Sequence, residues 1–259
     1  MLISLCMPVF GREKMLCQTL HSVLLQEYQD FEIIVRDDNP EKPVKDDADV
    51  AKMFQFVGER LKYHVGSHLG TFSKVANATV AHATGDIMGM LLSDDLLAPN
   101  ALGTISETFE ADSFGGAMWM YGKTISTDHH LSFIGIDGTE ATFEEMLQRN
   151  RVGCPSTYWN RKMLNLAGTF DTRYKWAADY DLWIRFWRQR KPTFVNREIG
   201  IFRHHAHQNS TDHAEETEQE ARKISLRHAY LGDVVNRARN RYTLRKLYSG
   251  EDTPLSHDG

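Results

Sequence analysis

Over the first hundred residues, short apolar runs alternate with segments whose apolar side chains recur every three to four positions. Residues 3–7 form a run of the first kind and predict a short buried strand. Beyond Pro8, the residues Leu16, Leu20, Val23 and Leu24 share one helical face, so residues 12–26 predict an amphipathic helix. A second strand, rich in β-branched residues, is expected over 31–35. It stops at Asp37-Asp38-Asn39-Pro40, which is turn chemistry. Residues 61–65 predict a third strand, 71–83 a helix ended by Gly85, and 87–92 a fourth strand.

The strand starts at 3, 31, 61 and 87 are 28, 30 and 26 residues apart, the length of a strand–helix repeat. That spacing implies an open, mostly parallel, twisted sheet flanked by helices. In such sheets ligands bind beyond the carboxyl ends of the strands, which puts the polar residues after each apolar run under scrutiny. No G-x-G-x-x-G or P-loop follows the first strand, which disfavours dinucleotide binding of the Rossmann kind. From about 100 to 210 the pattern is less regular. There a strand is expected over 152–158, a short helix over 161–167, a strong helix over 179–190 and a further strand over 193–201. We divide the chain into residues 1–100, residues 101–212 of the same domain, and a helical tail over 213–259.

Composition narrows the class. A chain of 259 residues with 41% hydrophobic content buries a substantial core. No run of about 20 apolar residues offers a membrane span, and the stretch from Leu2 to Phe10 lacks the basic start of a signal peptide, so a cytoplasmic protein is expected. Cys6, Cys17 and Cys154 are odd in number and lack paired ligand spacing, so they read as buried thiols. The net charge of -5 is uneven: eight basic residues against Asp233 give the stretch 221–248 a charge of +7. Such a tail fits contact with a membrane surface or nucleic acid, docking on the acidic body, or a plain solvated face.

Three groups of acids follow predicted strands or open predicted helices. Asp94 and Asp95 end a buried strand, where two neighbouring carboxylates repel and a hard divalent cation, magnesium or manganese, relieves the repulsion. The same residues also fit a strand-ending turn. Asp37 and Asp38 reach the same sheet edge, where a carboxylate accepts from a nucleotide base or ribose, although Asp-Asp-Asn-Pro is equally a good turn. Asp179 and Asp181 open an amphipathic helix, whose dipole favours an ionised carboxylate fit to act as a base; acids there also serve as caps. Trp119, Tyr121, Trp159, Trp176 and Trp183 are candidate sugar-stacking surfaces, set against the commoner role of aromatics in cores.

Taken jointly, these segments resemble the family-2 inverting glycosyltransferases, whose nucleotide-sugar-binding α/β fold is called GT-A. Residues 3–12, ISLCMPVFGR, resemble the opening strand and Pro-x-x-x-Arg turn; 26–38 are similar to the nucleoside-binding segment. Residues 70–77 and 83–86 match the stretch before the metal motif, and Leu92-Ser93-Asp94-Asp95 sits where the family usually has Asp-x-Asp-Asp. Residues 167–171, 179–185 and 202–205 resemble the acceptor-side block, so the likeness runs from residue 3 to about 210.

The resemblance implies transfer of a sugar from a nucleotide diphosphate donor, a UDP-sugar, to an acceptor hydroxyl with inversion. It assigns Pro8, Phe10, Arg12, Asp37, Asp38 and Asp94 to the donor nucleotide, Asp94, Asp95 and His205 to Mn2+ or Mg2+, and Asp179 to the general base. Leu92 in place of the first acid leaves fewer protein ligands and shifts metal binding towards the donor's phosphates; Ala178 replaces the glutamate that commonly precedes the base. Two other classes stay open, a non-catalytic nucleotide-sugar or glycan-binding module and a nucleotidyltransferase. The acceptor, whether a glycan or another hydroxyl compound, is not set by these residues.

Overall fold

The computed structural model describes residues 1–112, 115–206 and 208–249, with side chains of the C-terminal helix described as far as Gly232. The chain alternates β1 (Ile3–Val9), α1 (Glu13–Leu24), β2 (Phe31–Asp37), α2 (Ala48–Val57), β3 (Leu61–Val65), α3 (Phe72–Val80) and β4 (Ile87–Met90). These strands pair in parallel in the order β3-β2-β1-β4, as the repeat spacing predicts. Next come β5 (Leu96–Leu97), α4 (Ala101–Glu110), β6 (Trp119–Thr127), β7 (Phe133–Asp137) and α5 (Phe143–Gln148). They are followed by β8 (Thr157–Asn160), α6 (Arg161–Ala167), α7 (Ala178–Gln189), β9 (Thr193–Arg203), α8 (Asn209–Asp212) and α9 (Ala214–Ser249). They extend the same sheet through β4-β8-β6-β9-β5, with β7 hung on β6. In this half only β6 and β9 run parallel, so the sheet as a whole is mixed.

Strand alternation sorts the core onto two faces. Ile3, Leu5, Met7, Val9, Ile33 and Val35 pack with Leu16, Leu20 and Ile105 on one side. Cys6, Ile34, Met88 and Met90 pack with Trp159, Leu182, Trp183 and Phe186 on the other. Both faces are therefore covered, which is why β1 and β2 read as unbroken apolar runs rather than alternating ones. Glu32, inside β2, is the exception that ties strands together. Its carboxylate accepts from Ser4 Oγ at 2.6 Å and from the Thr84 and Gly85 amides, and lies 2.5 Å from Lys62 Nζ.

Some boundaries move. The strand expected over 152–158 starts only at Thr157, because Pro155 sits in a tight turn over Cys154–Ser156. The fourth strand ends at Met90 rather than at 92, freeing Leu92 to Asp95 as a loop. The candidate stacking surfaces are mostly core: Trp119, Trp159 and Trp183 are fully buried and Tyr121 nearly so. Trp176 is partly exposed but lies against His213, ring centroids 3.8 Å apart. The three cysteines are free, with Cys6 fully buried.

The expected helical tail is present as α9, and its inner part docks on the domain. His228 Nε2 lies 2.9 Å from Asp181 Oδ1, and Ile224 is buried. The side chains of Arg237, Arg239, Arg241, Arg245 and Lys246 lie outside the described residues. Among the described residues no helix is long and apolar enough to cross a membrane.

Candidate active site

The chain leaves β1 through Gly11 and Arg12, both at positive φ (65° and 64°), a conformation natural for the glycine and strained for the arginine. The turn aims the Arg12 guanidinium at the loop after β4, where it pairs with Asp94. That loop is held at three points. Thr19 Oγ1, on α1, donates to the Asp95 carbonyl at 2.7 Å; β5 pairs with β9 through Leu96 and Ile201; and the Arg203 amide donates to Asp95 Oδ1 at 3.2 Å. The two-residue strand β5 was not foreseen, yet it brings the end of β9 against the carboxylates. His205 Nε2 thereby comes to 3.0 Å from Asp94 Oδ2.

The two adjacent acids are shifted in opposite directions. Burial raises the Asp94 carboxyl, but the bond to His205 and the charges of Arg12 and His205 outweigh it, and the net shift is downward. Asp95 is fully buried, and burial together with the charge of Asp94 pushes its carboxyl well up, despite Arg203 nearby. Its Oδ2 and two guanidinium nitrogens of Arg203 are buried without a partner. His205 titrates higher than an ordinary histidine, chiefly through its bond to Asp94. Among the described residues no three His, Cys, Asp or Glu side chains form a set able to hold a metal unaided. The site offers Asp94 and His205, with Asp95 behind. Such a small set suits a hard cation that completes its shell with phosphate oxygens and water.

A cavity of about 380 Å³ opens beside Asp94 and is lined by Pro8, Phe10, Arg12, Asp38, His68 and Thr71 among others. Five of the six residues assigned to the donor nucleotide thus line one space. Asp37 does not. It closes β2 pointing inward, where its carboxylate accepts from the Asn39 and Val44 amides and the Tyr63 hydroxyl. Asp38 lies one residue later, outside the strand, and faces the cavity; it accepts from the Leu69 and Gly70 amides at 2.8 and 3.0 Å. His68 Nδ1 lies 3.0 Å from its Oδ2 as well, which leaves Oδ1 the less occupied of the two oxygens. His68, Thr71 and Phe72 were not singled out from sequence. The Thr71 hydroxyl is buried without a partner, and the rings of Phe10 and His68 lie 5.4 Å apart.

A second cavity, of about 460 Å³, is lined by Asp179, Asn150, Cys154, Phe202 and His204. Successive residues of the β9 end alternate in direction: Phe202 and His204 line this cavity, while Arg203 and His205 bond to the Asp94-Asp95 loop. Burial, and then the charges of Asp179, Asp95 and Asp94, push the Cys154 thiol up.

At the start of α7 the two acids part company. Asp181 is fully buried and is taken up by Arg185 Nε at 2.7 Å and by His228. Asp179 lines the cavity, with Asn150 Nδ2 3.5 Å from its Oδ2, and burial raises its carboxyl to about 6 against the backbone amides at the helix start. The helix start has no side-chain cap of its own. Glu220 of α9 instead holds the loop that leads into α7, accepting from the Lys175, Trp176 and Ala177 amides at 3.0, 2.8 and 3.0 Å. This residue lies in the tail, where the reading from sequence looked only at basic charge.

A mixed sheet with one cavity at its carboxyl edge beside Asp94, and a second cavity lined by Asp179 and Asp137, has the architecture of a GT-A-type transferase. The model of the family described as "Glycosyl transferase family 2" matches residues 4–165, and the chain belongs to that family. Among relatives, "Uncharacterized protein MT1568" of Mycobacterium tuberculosis is 30% identical, covering 81% of this chain and 69% of the relative. An Escherichia coli relative, "UDP-Glc:alpha-D-GlcNAc-diphosphoundecaprenol beta-1,3-glucosyltransferase WfgD", is 23% identical over 75% of this chain and 73% of its own length. Among solved structures, Staphylococcus aureus TarS in complex with UDP superposes with a TM-score of 0.65 at 14% identity, covering 88% of this chain. TarS in complex with UDP-GlcNAc gives 0.63 over 82%. The chain spans 65% and 61% of those two structures.

Proposed function

We propose that this glycosyltransferase moves a sugar from a UDP-sugar to an acceptor hydroxyl by a single displacement with inversion. The observation that carries the reading is the division of acids at the β9 end, with Asp94 on the nucleotide-sized side and Asp179, its carboxyl raised by burial to about 6, on the other. Asp38 with Thr71 and the Phe10–His68 pair receives the nucleoside, and Arg12 stands where a diphosphate would enter. Asp179 takes the acceptor proton as the oxygen attacks the anomeric carbon, and a carboxyl at about 6 is ionised at neutral pH yet basic enough to accept it. Asp94 and His205 would hold Mn2+ or Mg2+, which neutralises charge on the departing diphosphate.

The names of two relatives specify diphosphoundecaprenol-linked acceptors, which supports a lipid-linked acceptor and work at a membrane face of the cytoplasm. The basic residues of α9 suit contact with such a surface. A panel of UDP-sugars with Mn2+, scored by UDP release, tests the reading. Release that requires both Asp94 and Asp179 is expected, and tight UDP-sugar binding with no transfer or hydrolysis would favour a binding module instead.

A further inference from the structure

Arg149, Asn150 and Arg151 follow α5 and line the Asp179 cavity together. Asn150 is the residue that touches Asp179. Arg149 is exposed. Arg151 is part-buried, and its guanidinium forms only a loose ion pair with Glu145 Oε1, 3.9 Å away and beyond hydrogen-bond reach. Glu145 meanwhile commits its other oxygen to the cap on Thr142. Arg151 Nε is buried with no partner at all, an arrangement that is costly unless an acceptor arrives. Two forked donors flanking one residue match the geometry and double charge of a phosphate.

We infer that this cavity takes an acceptor whose reacting hydroxyl sits on a sugar bonded directly to a phosphate. The inference rests on the transferase reading above. The phosphate lies on Arg149 and Arg151, and the hydroxyl meets Asp179. The hydroxyl proton passes to Asp179, the new bond forms from oxygen to the donor's anomeric carbon, and the old bond breaks with its electron pair leaving on the UDP phosphate. The acceptor's own phosphate is held and not cleaved. Asp137, also on the cavity wall, ends the strand in which Phe133, Ile134 and Ile136 are exposed, so a lipid-borne phosphate is one source to test beside a free glycosyl phosphate.

The test is calorimetry on the full chain with UDP and Mn2+ saturating, so that the donor side is filled. The probes are the 1-phosphates of glucose, galactose and N-acetylglucosamine, each paired with its methyl glycoside, with methyl glucuronide as an anionic control. At least one phosphate should bind about tenfold or more tighter than its neutral partner, a difference expected for charge-assisted bonds. The preference should vanish in Arg149→Gln/Arg151→Gln, with an unchanged melting temperature showing that the variant is folded. Further tightening by a farnesyl diphosphate form assigns the lipid-borne source, and equal affinity the free one. No phosphate preference at 10 mM, a glucuronide that binds as well, or a preference that survives the double substitution overturns the inference. UDP release from donor alone, measured on the same sample, shows whether the transferase reading has failed as well.

Discussion

Asp179→Asn removes the proposed base while keeping the shape of the side chain. General-base help contributes on the order of 10²–10⁴ in rate, so turnover should fall by about that factor while the KM for the donor, whose cavity Asp179 does not line, stays within about threefold. The wild-type pH profile carries a second, independent signature. Burial lifts the Asp179 carboxyl to about 6. The reactive form is the ionised one, so kcat should climb through that value: about a tenth of the sites are ionised at pH 5 and about nine tenths at pH 7, roughly a tenfold rise. Single-turnover mixing of saturated enzyme with acceptor isolates the chemical step from product release. A profile flat from pH 5 to 8, or an Asn variant with near-normal turnover, refutes the assignment.

Three further outcomes follow from the framework. Glu32 is held ionised: burial raises its carboxyl, but Lys62, Ser4 and Thr84 together bring it down to about 2. Its folded-state pKa therefore lies below the unfolded one, so it stabilises fully above about pH 4.5 and loses that contribution as pH falls towards 2. With Lys62 partly exposed, Glu32→Gln should cost about 2 kcal/mol at pH 7, read as a urea midpoint, and the gap should close in acid. A Cβ on Gly89 would lie 2.2 Å from a Tyr158 ring carbon in the buried sheet, so Gly89→Ala should destabilise by about 1–3 kcal/mol, or more if the strands cannot part. Glu220→Gln weakens the charged tie between α9 and the loop that leads into α7; it should lower thermal stability by about 1 kcal/mol and reduce kcat more than donor KM.

The parallel half of the fold was legible because fully buried strands write themselves as apolar runs and the helices between them keep a 3.6-residue period. The strand-end acids were legible for the same reason, since each run stops at a polar residue. Which acid of a pair faces ligand was not. Asp37 and Asp38 differ by one position on a chain that alternates sides, and only the pairing of β2 with β3, which sets Tyr63 beside Asp37, turns the first inward. Asp179 and Asp181 separate through His228 and Arg185, one of them contributed by a helix far along the chain. The β5 strand is two residues long, too short for any periodicity, yet its pairing with β9 brings His205 to Asp94. Glu220 and the Arg149–Arg151 pair carry no local pattern, because their meaning comes from the surfaces against which α9 and α5 pack.

The central claim is that Asp94 and Asp179 act on opposite ends of one breaking bond. It is tested most directly by donor turnover in four proteins: wild type, Asp94→Asn, Asp179→Asn and the double variant, each with a UDP-sugar, Mn2+ and acceptor. The account predicts that Asp94→Asn weakens UDP binding and its Mn2+ dependence, that Asp179→Asn spares both while abolishing transfer, and that the double variant shows both defects. Transfer that persists without Asp179, or UDP binding that ignores Asp94, contradicts it.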